Sequence, residues 1–319
     1  MSFALIKRLP VEPKIDFLGQ RKLFAIVSSV LVLGAIALFL VQGLNFGVDF
    51  RGGILIEART EGPADLGELR SRLGGLGLGE VTLQEFGEPT DVLINVQRQD
   101  GDEKAQLEAI TTVKEALGEE VVEYRRTEFV GPKVGGELKE AGFLATVLSL
   151  LAIGVYIWFR FEWQFGVAAL AALMHDVVAT IGFFALTQVE FNLATLAAIL
   201  MIAGYSINDT VVLFDRVREC MRKYKKLPTT QLLNLAINQT LSRTLLTSVT
   251  TLLALIALFL FGGKVIQGFT IGLIWGVVIG TYSSIGLAVP LLMALKVRRS
   301  SVAGDEGPAT PAKAEPEGA

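Results

Sequence analysis

The residue of this sequence best placed to do chemistry is an acid inside an apolar run. Asp209 lies in Ala203-Gly204-Tyr205-Ser206-Ile207-Asn208-Asp209-Thr210-Val211-Val212, seven residues before Arg216. At helical rise that is about 10 Å from the polar end of the run. A carboxylate in hydrocarbon costs about 3 kcal/mol at the bilayer centre on insertion scales, so its retention points to function. The chemistry open to it is uptake and release of a proton as its surroundings change. A plainer reading has it snorkel to the interface or cap the helix end.

Arg243 is the candidate counter-charge. It opens a later apolar run in which Thr247, Thr250 and Thr251 follow at i+4, i+7 and i+8, so one stripe of that helix is polar and should face protein. A guanidinium stays protonated, and its approach or withdrawal would change how readily Asp209 holds a proton. Alternatively, Arg243 is an anchor at the membrane surface. His175, the single histidine, adjoins Asp176 in a third apolar run. The two could relay a proton or pair across helices. Neighbours on a helix point about 100° apart, which favours a supporting role. Ser206, Asn208 and Thr247 complete the expected set of supporting polar residues inside the apolar runs.

These residues need membrane helices to position them. Of 319 residues, 51% are hydrophobic, which points to a membrane protein. Six segments are long and apolar enough to cross a hydrocarbon layer of about 30 Å: 22–42, 141–159, 164–187, 193–214, 241–261 and 267–295. The first follows Lys7, Arg8, Lys14, Arg21 and Lys22 without a clear cleavage site, and reads as an uncleaved anchor. In the sixth, Gly268, Gly272, Gly276, Gly280 and Ser284 put a small residue at every fourth position, a face for close helix packing.

Positive charge sets the sidedness. Arg160 lies between the second and third spans; Arg216, Arg218, Arg222, Lys223, Lys225 and Lys226 lie in a basic loop expected at 216–240. Lys296, Arg298 and Arg299 follow the sixth span. All fall on one side if residues 1–21 and the tail at 300–319 are cytosolic. The turns at Gln188 to Asn192 and Gly262 to Lys264, and a long segment at 43–140, fall on the other. Residues 44–140 carry 20 acidic and 11 basic side chains.

The long segment reads as an α/β domain: strands Gly53 to Arg59, Glu80 to Phe86, Asp91 to Gln97 and Val121 to Phe129, with helices Ala64 to Leu73 and Glu103 to Leu117. Glu88-Pro89-Thr90 supplies a turn, and Asp102 is a candidate N-cap. The order βαββαβ suggests a ferredoxin-like fold. The one cysteine, Cys220, excludes an internal disulfide, so this domain must be held by its own core. The tail at 300–319, rich in Ala, Gly, Pro and Glu, is expected to be disordered.

A net charge of -3 gives no argument for a nucleic-acid partner. No Cys-x-x-Cys, phosphate-binding loop or G-x-S-x-G occurs, so neither metal, cofactor nor hydrolytic or redox catalysis is expected, and an ATPase is disfavoured.

Five pieces stand in order between residues 45 and 251: Asn45-Phe46-Gly47-Val48-Asp49-Phe50-Arg51-Gly52-Gly53, Val130-Gly131-Pro132-Lys133-Val134-Gly135, His175-Asp176, Gly204 to Thr210 with Phe214-Asp215-Arg216, and Ser242-Arg243-Thr244. Together they resemble the SecD/SecF family of the resistance-nodulation-division superfamily. The resemblance implies a subunit of the bacterial inner membrane that pairs with SecD and works with the SecYEG channel, with SecA and YajC as further candidate partners. It also implies use of the proton-motive force to move an external domain that pulls or retains a translocating polypeptide. On that reading Asp209 is the protonatable carboxylate and Arg243 its counterpart. Asp49, Phe50, Arg51, Gly52 and Gly53 would shape the junction between membrane and domain. The competing readings are a proton-coupled exporter of small molecules or lipids in the same superfamily, and a purely structural subunit.

Overall fold

Apolar side chains dominate the long helices of this chain, and many of them remain on the outside, as lipid-facing surfaces require. The computed structural model describes residues 13–85, 87–101, 103–263 and 266–297. The expected tail at 300–319, residues 1–12, Phe86, Asp102, Lys264, Arg298 and Arg299 lie outside these. Among the described residues, six helices are long and apolar enough to span a membrane: Leu18–Val41, Val134–Arg160, Trp163–Thr187, Leu193–Lys223, Thr229–Phe261 and Gln267–Ala294.

Helix α1 (Arg21–Val41) is followed by a single turn, α2 (Val48–Arg51), and then by the α/β unit. That unit comprises β1 (Gly53–Thr60), α3 (Leu66–Gly74), β2 (Val81–Glu85), β3 (Asp91–Val96), α4 (Glu103–Leu117) and β4 (Val121–Val130). The strands form one antiparallel sheet in the order β2-β3-β1-β4. Period-two alternation divides its faces. Ile54, Ile56, Ala58, Val92, Ile94 and Val96 pack against Leu69 and Leu73 of α3 and Val113 and Leu117 of α4. Asp65 caps α3 by accepting from the N–H groups of Gly67 and Glu68, which satisfies otherwise orphan donors. On the opposite face Asp91 binds Arg59 at 2.8 Å and Arg125 at 2.8 Å. Arg59's hydrogen bond holds Asp91 below the usual carboxylate range, against the opposing effect of its burial, and Arg125 adds to the lowering.

Helices α5 (Pro132–Arg160), α6 (Trp163–Thr187), α7 (Leu193–Lys223), α8 (Thr229–Phe261) and α9 (Gln267–Ser283) follow. A π-helical turn at Ser284–Ala288 joins α9 to α10 (Val289–Ala294). Pro290 explains the wide turn: it has no N–H for the carbonyl of Gly286, and its ring crowds that carbonyl.

Two boundaries differ from the sequence expectation. The stretch 216–240, expected as a basic loop, is helical except at 224–228, since α7 runs to Lys223 and α8 starts at Thr229. Hydropathy missed it because Leu232, Leu233, Ala236, Ile237 and Leu241 form an apolar stripe among polar residues. Likewise α5 begins at Pro132 rather than near 141, continuing as a polar helix beyond its apolar run.

The glycine stripe of α9 meets α7. A methyl at Gly272 would lie 3.6 Å from Ala198, one at Gly276 would overlap Ile202, and one at Gly280 would stand 3.1 Å from Ser206. Small residues therefore bring these two backbones close together.

Candidate functional site

Asp176 projects from α6 into the helix interior and is fully buried. Its Oδ2 accepts hydrogen bonds from Ser206 Oγ of α7 and, at 2.6 Å, from Ser283 Oγ at the end of α9; Oδ1 faces His175 Nδ1 at 2.9 Å. The histidine and aspartate therefore do meet, although adjacent side chains on a helix diverge. Nδ1 stands close to its own backbone, so little reach is needed. His175 Nε2 is buried without a hydrogen-bond partner among the described residues. Tyr282 lies beside the imidazole, with ring centroids 6.1 Å apart, and its hydroxyl bonds Phe24 O at 2.9 Å.

Asp209 occupies α7 one turn beyond Ser206. It is buried, and its Oδ2 finds no hydrogen-bond partner among the described residues. Arg243, on α8, is exposed. Its charge acts on Asp209 through space, yet the two side chains form no ion pair. The structure thus holds a buried acid near, but not against, a cation. Arg243 sits well inside α8 rather than at its start, because that helix begins at Thr229.

The remaining expected residues fall outside this cluster. Asn208 is exposed. Thr247 donates to Arg243 O and Thr244 O of its own helix, at 3.1 and 2.9 Å, and Thr250 and Thr251 likewise bond their own backbone. Across α8 and α9 the contact is instead Ser248 Oγ with Thr281 Oγ1 at 2.6 Å.

The Asp49 to Gly53 segment forms a separate junction. Asp49 Oδ2 accepts from Leu193 N–H, at the start of α7, at 2.9 Å. Asn192 caps the same helix reciprocally with Thr195, so the carboxylate adds charge to a helix end that favours an anion. Phe50 is buried against Phe191 in a stack with centroids 5.9 Å apart, and Phe46 meets both rings edge-on. Arg51 points outward. Gly52 and Gly53 have φ of 73° and 135°, and a Cβ on Gly53 would lie 2.8 Å from Val96 O. Both requirements exclude a side chain.

Sequence reasoning missed Ser283 and Glu190. Ser283 was legible as the hydroxyl just outside the glycine stripe. Glu190 was legible as the one acid in the Gln188 to Asn192 turn. Its carboxyl sits at Gly47 and lines a cavity between the sheet and the membrane helices with Asp49 and Arg126. Burial pushes its pKa up, the charge of Asp49 adds to this, and Arg126 opposes it. Among the described residues no group of three or more His, Cys, Asp or Glu side chains could hold a metal ion.

Comparison with known proteins gives this arrangement a family. The C-terminal family described as "Protein export membrane protein SecD/SecF" matches residues 109–298, and the SecD/SecF GG motif matches 37–64. The protein translocase subunit SecF of Rickettsia rickettsii is 46% identical over 295 residues, covering 92% of this chain and 95% of that protein. That of Rickettsia bellii is 45% identical, covering 92% and 97%. The crystal structure of SecDF, a translocon-associated membrane protein from Thermus thermophilus, superposes with a TM-score of 0.82 at 34% identity. SecDF in its super-membrane-facing form superposes with a TM-score of 0.67. The chain covers 91% and 92% of its own length in these matches but only 40% of either SecDF chain. By sequence along most of its length and by the course of its helices, the chain belongs to the SecD/SecF family of protein-export membrane proteins.

Proposed function

We propose that this chain is a SecF-type subunit that uses proton movement through Asp209 to promote polypeptide export across the bacterial inner membrane, with both termini in the cytosol. The observation that carries this reading is the state of Asp209: a buried carboxylate with an unsatisfied oxygen, within the electrostatic reach of Arg243 but unpaired. Buried acids without partners are costly, and a membrane helix that keeps one has a use for it. A small displacement of α8 against α7 would make or withdraw the ion pair, changing whether Asp209 keeps its proton.

The SecDF structures suggest a SecD-type partner for this chain. SecYEG, with SecA and YajC, and the emerging polypeptide belong to the same reading. The strand order β2-β3-β1-β4 with both helices on one face supports a ferredoxin-like domain, and the positive charges at the opposite helix ends support a periplasmic side for it.

The test is Asp209→Asn in inverted vesicles with an imposed proton gradient. Export should fall to the rate seen without the gradient while the complex with the partner still co-purifies. Export at the normal rate would remove proton coupling through Asp209.

A further inference from the structure

An apolar slot of about 400 Å³ opens on the domain side of the membrane between α1 and α5. Phe39 of α1 and Phe143 of α5 form its walls, Ile181 of α6 and Ile199 of α7 its floor, and the Phe46, Phe50 and Phe191 cluster closes its upper end. Phe39 and Phe143 are 44% and 72% exposed, so the slot faces outward, where hydrocarbon surrounds the helices.

Of fifteen lining residues only Lys139 and Thr146 carry a polar side chain. Thr146 Oγ1 is satisfied within α5, donating to Gly142 O at 2.8 Å. Lys139 is exposed, its ammonium 4.9 Å from the centroid of the Phe46 ring. No ion pair joins it to an acid among the described residues. The slot is therefore a hydrocarbon channel with the Lys139 ammonium at its mouth. Seven residues separate Lys139 from Thr146, so the channel runs about 10 Å down α5 from that charge.

Each alternative filling has a physical cost. Water would find no hydrogen-bond partners along such walls. An extended peptide would leave its backbone groups unmatched. An acyl chain has no such need, and an anionic phosphate above it would meet the ammonium. We propose that the slot holds one acyl chain of an anionic phospholipid from the domain-side leaflet, with its headgroup phosphate on Lys139.

The test uses the full chain in phosphatidylcholine vesicles doped with phosphatidylglycerol bearing a photoactivatable acyl chain. Matched vesicles carry photoactivatable phosphatidylcholine instead, and adducts are mapped by peptide mass spectrometry. Adducts should concentrate on α1, α5 and α6 around Phe39, Phe143 and Ile181, with phosphatidylglycerol preferred. Lys139→Gln should lower that preference about fivefold, the worth of one basic side chain at an anionic membrane surface. Ile181→Trp, which fills the floor, should reduce adducts from both lipids. Adducts spread evenly over the outer faces of α1, α5 and α8 would overturn the proposal. So would an unchanged preference in Lys139→Gln, or protection of the slot by a second polypeptide in the purified complex.

Discussion

Ser206 Oγ and Ser283 Oγ converge on one oxygen of Asp176, so either hydroxyl alone leaves that carboxylate a donor. Ser206→Ala with Ser283→Ala removes both. We expect the double variant to lose about 1–3 kcal/mol, the cost of leaving a buried acceptor unsatisfied, more than the two single losses combined. Thermal unfolding of the purified protein in detergent would measure it, and additive small losses would contradict the shared role. Sequence alone points Asp176 to a supporting role, since neighbours on a helix diverge, and it does not show two serines arriving from 30 and 107 positions away. Asp209 was legible for the opposite reason, since burial of an acid in an apolar run can be read locally. Outside the membrane, two acids should respond to pH in opposite ways. Asp91, held low by Arg59, adds stability that is full above its unfolded value of about 3.9 and is lost as pH falls through the lower folded value. Asp91→Asn should therefore cost about 2 kcal/mol at neutral pH and flatten the acid limb of a stability profile. Glu190 is held high. Its contribution is present below an unfolded value of about 4.3 and is lost as pH rises through the folded one. Glu190→Gln should raise the melting temperature at neutral pH, and an unchanged value there would argue that the cleft is fully solvated.

Among the elements, the packing face of α9 was the easiest to foresee, because small residues at every fourth position have one dominant use; that α7 fills it was not legible. Gly276 has no room for a methyl beside Ile202, so Gly276→Ala should destabilise by about 1–3 kcal/mol through overpacking. A loss in the detergent melt confined to this position, with Gly204→Ala silent, would bear that out; Gly204 has open space around it. The early start of α8 was not legible by span-finding, because its first three turns are amphipathic rather than apolar. Nor was the π turn, although Pro290 gave the signal: a proline within a helix must widen or break the ladder before it.

At the scale of the whole molecule, the sheet turns one face to its own helices and the other toward the membrane helices, leaving water-accessible cavities between them. Gln84 of β2 and Gln267 of α9 line the same cleft. Cys220, the one native cysteine, is buried, so Gln84→Cys with Gln267→Cys can be bridged selectively by a bis-methanethiosulfonate, which joins them through disulfides. If domain motion drives export, the bridge should abolish gradient-driven transport and reduction should restore it. Unimpaired transport in the bridged state would leave the domain a static shield. The βαββαβ order was readable in the sequence because local patterning sets the elements. Which face of the sheet overhangs the bilayer was not, since it depends on the single turn α2 and on backbone pairing of Phe46 with Phe191.

Helix α7 begins under Asp49, where Leu193 N–H meets the carboxylate, and continues without interruption past Asp209. Sixteen residues, about 24 Å of rigid rod, separate those points. A rod gripped at its upper end passes on twist without slack. Any torque reaching Leu193 from the junction must turn the Asp209 carboxylate through the same angle, gearing the pose of the outer domain to the deepest acid of α7.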